Sequence, residues 1–229
     1  MGSLRNIILQ HFNGELRELD KLSVENIQAY AERIGADYQL IGGRPFREHL
    51  TDPCQKAYVI DEAWDDYDNV LMLDPDMFVT KSCDENVFDL PGCGTHGPTQ
   101  IRLKQRLAEM GRIHTAAPYW AGSFYKFSRT SRQQLRNQMP ANDKWMDIYN
   151  KPYFYEDEGI LSELAWRARH PQWYIGVEWN MCSFLPGVAE AKMIHIRTKK
   201  PGHPNGSWED GGKQDKILNY QQLVDEGIL

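Results

Sequence analysis

The first half of the chain alternates short apolar runs with longer amphipathic stretches. Residues 6–11 (NIILQH) read as a buried strand. Ser23 is then expected to cap a helix in which Val24, Ile27, Ala31 and Ile34 share one face and Gly35 ends the run. Residues 37–41 (DYQLI) read as a second strand, followed by a Gly-Gly-Arg-Pro turn. A further helix is expected over about 54–67, turning Ala57, Ile60, Trp64 and Tyr67 inward and Asp61, Glu62, Asp65 and Asp66 toward water. Asn69–Leu73 (NVLML) is apolar without a break after its first residue, the pattern of a strand covered on both faces. The order β-α-β-α-β predicts an α/β fold with a mainly parallel sheet and right-handed crossovers. Ligands of such sheets bind beyond the carboxyl ends of the strands, so the residues after Leu73 are candidates.

The second half is more mixed. Residues 100–110 and 128–138 read as helices and 120–127 as a strand between them. A helix over 157–169 carries Ile160, Leu161, Leu164, Ala165 and Ala168 on one stripe, and 193–196 is a short strand. The stretch 199–213 (KKPGHPNGSWEDGGK) is rich in Gly and Pro and is expected to be a loop able to fold over a ligand. No repeat or linker divides the chain, which is read as one domain over 1–229.

Composition narrows the classes. With 26 Lys+Arg against 32 Asp+Glu the net charge is −6, which argues against a nucleic-acid partner. Hydrophobic residues at 41% are enough for a packed core. No apolar run reaches the roughly 20 residues of a membrane span, and MGSLRN lacks a signal-peptide core. Cys54, Cys83, Cys93 and Cys182 form no CxxC pair and are expected to be reduced thiols, consistent with a cytoplasmic protein.

After Leu73 come Asp74, Pro75 and Asp76. Two carboxylates at i and i+2 of extended backbone project to one side, about 7 Å apart along the chain. Pro75 fixes its own φ and biases Asp74 toward extended geometry. Such a pair suits a divalent ion, or an ion on one carboxylate and a ribose hydroxyl on the other. A plain strand-capping turn is the competing reading. An aspartyl-phosphate enzyme fits less well, because Phe78 stands where Thr or Val belongs and the strand is the third.

Residues 53–80 (PCQKAYVIDEAWDDYDNVLMLDPDMFVT) resemble the GT-A fold glycosyltransferases: a Lys-bearing helix, an apolar strand, D-x-D and a second apolar strand. Tyr119-Trp120-Ala121-Gly122-Ser123-Phe124 is similar to the aromatic-Gly segment of the donor-sugar pocket. Glu156-Asp157-Glu158-Gly159-Ile160-Leu161 is similar to the acidic helix start beside the reacting carbon. Met193-Ile194-His195 followed by Lys199-Lys200-Pro201 is similar to the C-terminal His and Lys-Pro elements of metal-dependent members. Residues 119–179 most resemble retaining blood-group-type enzymes, with Ala121 in place of the first Gly. A looser likeness is to glycosyltransferases of large algal viruses.

The resemblance implies a single GT-A domain and transfer of a hexose-type sugar from a UDP-sugar to a glycan or glycoconjugate, with retention. It implies Mn²⁺, or Mg²⁺, on Asp74, Asp76 and His195, the imidazole favouring Mn²⁺. Gln10, Phe12, Lys56, Asp74, Ala121, Gly122, Lys199 and Lys200 would contact the donor, with Arg197 and Lys192 as further cations. Glu158, with Asp157 as competitor, would act at the anomeric carbon, and the helix macrodipole is expected to keep Glu158 ionised. Trp120, Trp145, Trp173 and Trp179 are candidate faces for an acceptor sugar. Two other classes stay open. A sugar-phosphate nucleotidyltransferase would carry a Gly-rich, Lys-containing N-terminal loop, which HFNGELRE is not. A sugar-binding module would need aromatics without the metal-diphosphate constellation.

Overall fold

The structure, a computed structural model, describes residues 4–140, 156–197 and 213–229. Its central sheet has four strands: β1 (Asn6–Phe12), β2 (Asp37–Gly42), β3 (Asn69–Leu73) and, later in the chain, β5 (Phe124–Ser128). Their order is β2-β1-β3-β5. β1 runs parallel to both neighbours and β5 is antiparallel to β3. A smaller sheet joins β4 (Met77–Val79), β7 (Met193–His195) and β6 (Met181–Cys182), in the order β4-β7-β6.

Alternation along the strands divides the core. Ile7, Leu9, Val70, Met72, Tyr125 and Phe127 face one side, against Ile160, Leu161, Leu164 and Ala165 of α4 (Glu156–Arg167). Ile8, Leu71, Leu73 and Phe124 face the other, against Ile27, Tyr30 and Ala31 of α1 (Glu18–Ile34). The sheet is therefore covered on both faces, as the unbroken run NVLML requires. A third cluster packs Phe78, Ile194 and Ile196 under Leu223 of the C-terminal helix α5 (Lys213–Asp225). The described residues also include the helices α2 (Pro98–Glu109) and α3 (Arg129–Arg136).

Three elements depart from the sequence pattern. Helix α1 begins five residues before Ser23, at a cap in which Asp20 accepts from the backbone N–H and guanidinium of Arg17. Ser23 is buried inside the helix and donates to the Met77 carbonyl at 2.6 Å, so its hydroxyl joins elements instead of starting one. The expected helix over 54–67 is two 3-10 segments, Pro53–Ile60 and Glu62–Trp64. Asp61 is extended between them and its carboxylate accepts from the Ala63 N–H, restarting the chain as a cap does. The strand expected from Trp120 starts only at Phe124. Upstream, the Ala121 N–H bonds to the Thr95 carbonyl and the Ser123 carbonyl accepts from the Asp74 N–H, making 121–123 a cleft wall. Residues 199–212 of the expected loop lie outside the described residues.

Candidate functional site

Strand β3 ends in the core and delivers Asp74 and Asp76 to its carboxyl edge. There β4 turns back, pairing Met77 with His195 of β7, and so brings the imidazole to the carboxylates. His195 Nε2 lies 3.1 Å from Asp76 Oδ1 and 3.8 Å from Asp74 Oδ2. One ligand atom from each of the three falls within 4.8 Å of the others, the one such grouping among the described residues. Asp76 Oδ1 is buried without a well-formed hydrogen bond. A buried, poorly satisfied carboxylate oxygen facing an imidazole nitrogen, with a second carboxylate alongside, fits a divalent cation of the Mn²⁺ or Mg²⁺ class. Burial opposes the charge on Asp76, but His195 and Lys216 outweigh it and hold the carboxyl far below its ordinary range.

Lys216 comes from α5, 140 residues along the chain from Asp76, and its ammonium contacts Asp76 Oδ2. No motif flagged it. A Lys in the first turn of a polar helix has no distinguishing spacing, and only the fold brings it to the DPD turn.

The second pair of acids, at the start of α4, sits across the cleft. Lys56 bridges the two pairs: its ammonium lies 2.7 Å from Asp74 Oδ1 and 3.1 Å from Asp157 Oδ2, and it donates to the Gly122 carbonyl at 2.7 Å. Burial disfavours its charge, yet Asp157 and Asp74 together raise its pKa. Asp157 also accepts from the Tyr125 hydroxyl at 2.8 Å. Glu158 Oε1 accepts from the Gly122 N–H at 2.6 Å. A Cβ on Gly122 would stand 2.8 Å from Asp157 Oδ2, so only glycine allows this approach.

The expectation that the macrodipole keeps Glu158 fully ionised is corrected here. Burial, with the adjacent Asp157 charge, pushes its pKa up to about 7 despite the Tyr119 hydroxyl and the Gly122 N–H. Desolvation exceeds a dipole contribution worth about 0.3–1 kcal/mol at exposed helix ends.

Other assignments divide. Phe12 lines a cavity of about 290 Å³ with His11, Asp52, Lys56, Asp74 and Asp76. Ala121 and Gly122 line an adjoining one of about 190 Å³ that also holds Asp157, Glu158, His195 and Arg197. Gln10 is different. It is fully buried, its amide donates to Ser23 and to the Asp74 carbonyl, and its oxygen accepts from Tyr38. With every polar atom engaged it shapes the DPD turn from behind and is not a donor contact. Lys192 pairs with Glu85, away from the cleft. Trp120 and Trp179 are core residues, whereas Trp173 is 60% exposed. Lys199, Lys200 and Trp145 lie outside the described residues. The four cysteines are free thiols.

No family model matches this sequence, and no curated protein does. Among solved structures, a glycosyltransferase involved in the glycosylation of the major capsid of PBCV-1 aligns over 96% of this chain and 99% of its own. The TM-score is 0.56 at 12% identity. The fold is that of a glycosyltransferase. That agrees with the GT-A resemblance of residues 53–80, while the likeness to the blood-group-type branch rests on sequence motifs alone. No helix among the described residues is long and apolar enough to cross a membrane.

Proposed function

We propose that the protein is a metal-dependent glycosyltransferase moving a hexose-type sugar from a UDP-sugar to a carbohydrate or glycoconjugate acceptor, with retention. The observation that carries this reading is the Asp74–Asp76–His195 cluster at the carboxyl edge of β3 in a glycosyltransferase fold. Asp74, Asp76 and His195 would hold Mn²⁺ or Mg²⁺, which when bound supplies positive charge for a departing diphosphate. The cavity beside Phe12 receives the nucleoside, and Lys216 and Arg197 add cationic charge at the diphosphate. Lys56 lines both donor cavities and stays a donor contact in this scheme. It holds Asp74, Asp157 and the Gly122 carbonyl in fixed relation.

In the transfer, the acceptor hydroxyl oxygen bonds to the anomeric carbon. The bond from that carbon to UDP breaks with its electron pair on the diphosphate, which also receives the hydroxyl proton. Glu158, ionised, stabilises the positive charge that grows at the anomeric carbon, with the Gly122 N–H fixing its direction. A cytoplasmic location and a single functional domain over 1–229 belong to the same reading.

Calorimetric titration with UDP tests it. Affinity in Mn²⁺ is expected to exceed that in EDTA, and Asp76→Asn to weaken the metal-dependent binding about tenfold or more. Equal affinity with and without metal overturns the assignment.

A further inference from the structure

Beyond the two polar cavities lies a third, of about 330 Å³, which shares Gln100, Asn180 and Cys182 with the cavity holding Glu158. The polar cavities share Lys56 and Asp74 in turn. The three therefore run as one cleft, with the Asp157–Glu158 pair in the middle compartment. Only the outer compartment lacks any charged lining residue. Its walls are Val177, Leu185 and Pro186, with Met181 of β6. Two of its polar side chains are already engaged: Asn180 donates to Thr95 Oγ1 at 2.9 Å and accepts from Ser123 Oγ, behind the wall, at 3.0 Å. A sugar ring placed there would lose water from its hydroxyls and find few partners, whereas an apolar group would lose nothing.

We propose that this compartment is the acceptor's far subsite and that it selects an acceptor with an apolar aglycone, an alkyl glycoside in chemical class. The inference rests on the transferase reading, which puts the donor in the two charged compartments and leaves the acceptor to approach Glu158 from the third. The sugar of the acceptor lies at the shared residues, with its reacting hydroxyl toward the anomeric carbon and diphosphate of the donor, and the chain runs between Val177 and Leu185.

Hexyl and methyl glycosides of one sugar, compared as acceptors, give the test. The hexyl compound is expected to show a KM lower by about thirtyfold or more, from five added methylenes that are at least half buried. Leu185→Asp, at a side chain 39% exposed and so tolerant of change, is expected to bring the ratio within about threefold, with a thermal melt confirming the fold. A second readout needs no turnover. Cys182 is half-buried in the wall while Cys54, Cys83 and Cys93 are buried, so hexyl glycoside should slow alkylation of Cys182 by iodoacetamide, followed by mass spectrometry. If UDP binds with Mn²⁺ but the two KM values agree and Cys182 is unprotected, the subsite is refuted and the transferase reading stands. If UDP fails to bind with metal, that reading falls, and the alkylation result still decides the subsite.

Discussion

The cleft holds two pairs of acids of nearly the same chemistry, and one member of each, Asp76 and Glu158, is driven in the opposite electrostatic direction. Asp76, facing an imidazole and an ammonium, is held far down the pH scale although it is buried. Glu158, equally enclosed, has one backbone N–H, a tyrosine hydroxyl and a neighbouring acid, and burial raises it to about 7. Residue type does not separate these roles; the supply of positive charge does. The first pair is suited to hold a cation permanently. The second is suited to respond to charge that appears only during reaction. Lys56 touches both and keeps them apart in function.

That makes Lys56 the place where the contrast breaks most severely. Lys56→Met leaves Asp74 and Asp157 without their shared counter-charge in a low-dielectric wall. A loss of about 3–5 kcal/mol is expected, the usual cost of removing one partner of a buried ion pair. For a chain of this size the midpoint of thermal unfolding should fall by about 10 °C or more. A shift of only a degree or two would show that the two acid pairs do not depend on a common cation.

The next largest effect concerns Glu158. Glu158→Gln is nearly isosteric and keeps an acceptor for the Gly122 N–H, so UDP affinity should hold while turnover falls about a hundredfold. Asp157→Asn is the matched control; a greater loss of turnover there reassigns the role, and an inverted product by NMR refutes retention. A second signature is independent of activity. The folded-state pKa of Glu158 lies above its ordinary 4.5, so the folded protein binds this proton more tightly than the unfolded chain does. Stability then falls as pH rises from about 4.5 to about 7, and the deficit of about 3 kcal/mol is complete above that. Glu158→Gln should therefore be more stable than the parent protein at pH 8 and lose that advantage near pH 4.5. Urea unfolding at the two pH values measures it, and an unchanged difference would mean that folding does not raise the Glu158 pKa.

Legibility from sequence followed the same division. Strand β3 and the DPD turn were readable because an unbroken apolar run and a proline between two acids are local signals. Asp76 meets His195 at 3.1 Å, and His195, Asp157 and Glu158 line one cavity. What was not readable lay in long-range pairing. Ser23 looks like a helix cap because its role depends on a carbonyl 54 residues away. Gln10 looks like a ligand contact because nothing local shows that Tyr38, Ser23 and Asp74 consume its amide. The macrodipole argument for Glu158 was sound for an exposed helix end and failed because tertiary burial reverses it.

Lys216 gives the smallest effect and the finest distinction. Its ammonium occupies Asp76 Oδ2, the oxygen opposite the one that faces His195. It therefore competes with a metal ion for the same carboxylate and repels it as a second positive charge. Its side chain is 21% exposed, so water screens part of that repulsion. Lys216→Met is expected to tighten binding of Mn²⁺ alone by about three- to tenfold, or about 1 kcal/mol. If Lys216 also serves the diphosphate, the same variant should bind UDP in saturating Mn²⁺ more weakly, giving opposite signs in two titrations of one protein. Tighter metal with unchanged UDP would make the residue a plain counter-ion for Asp76. Weaker binding of both would mean that Lys216 orients the carboxylate for the metal, and the competition described here would be wrong.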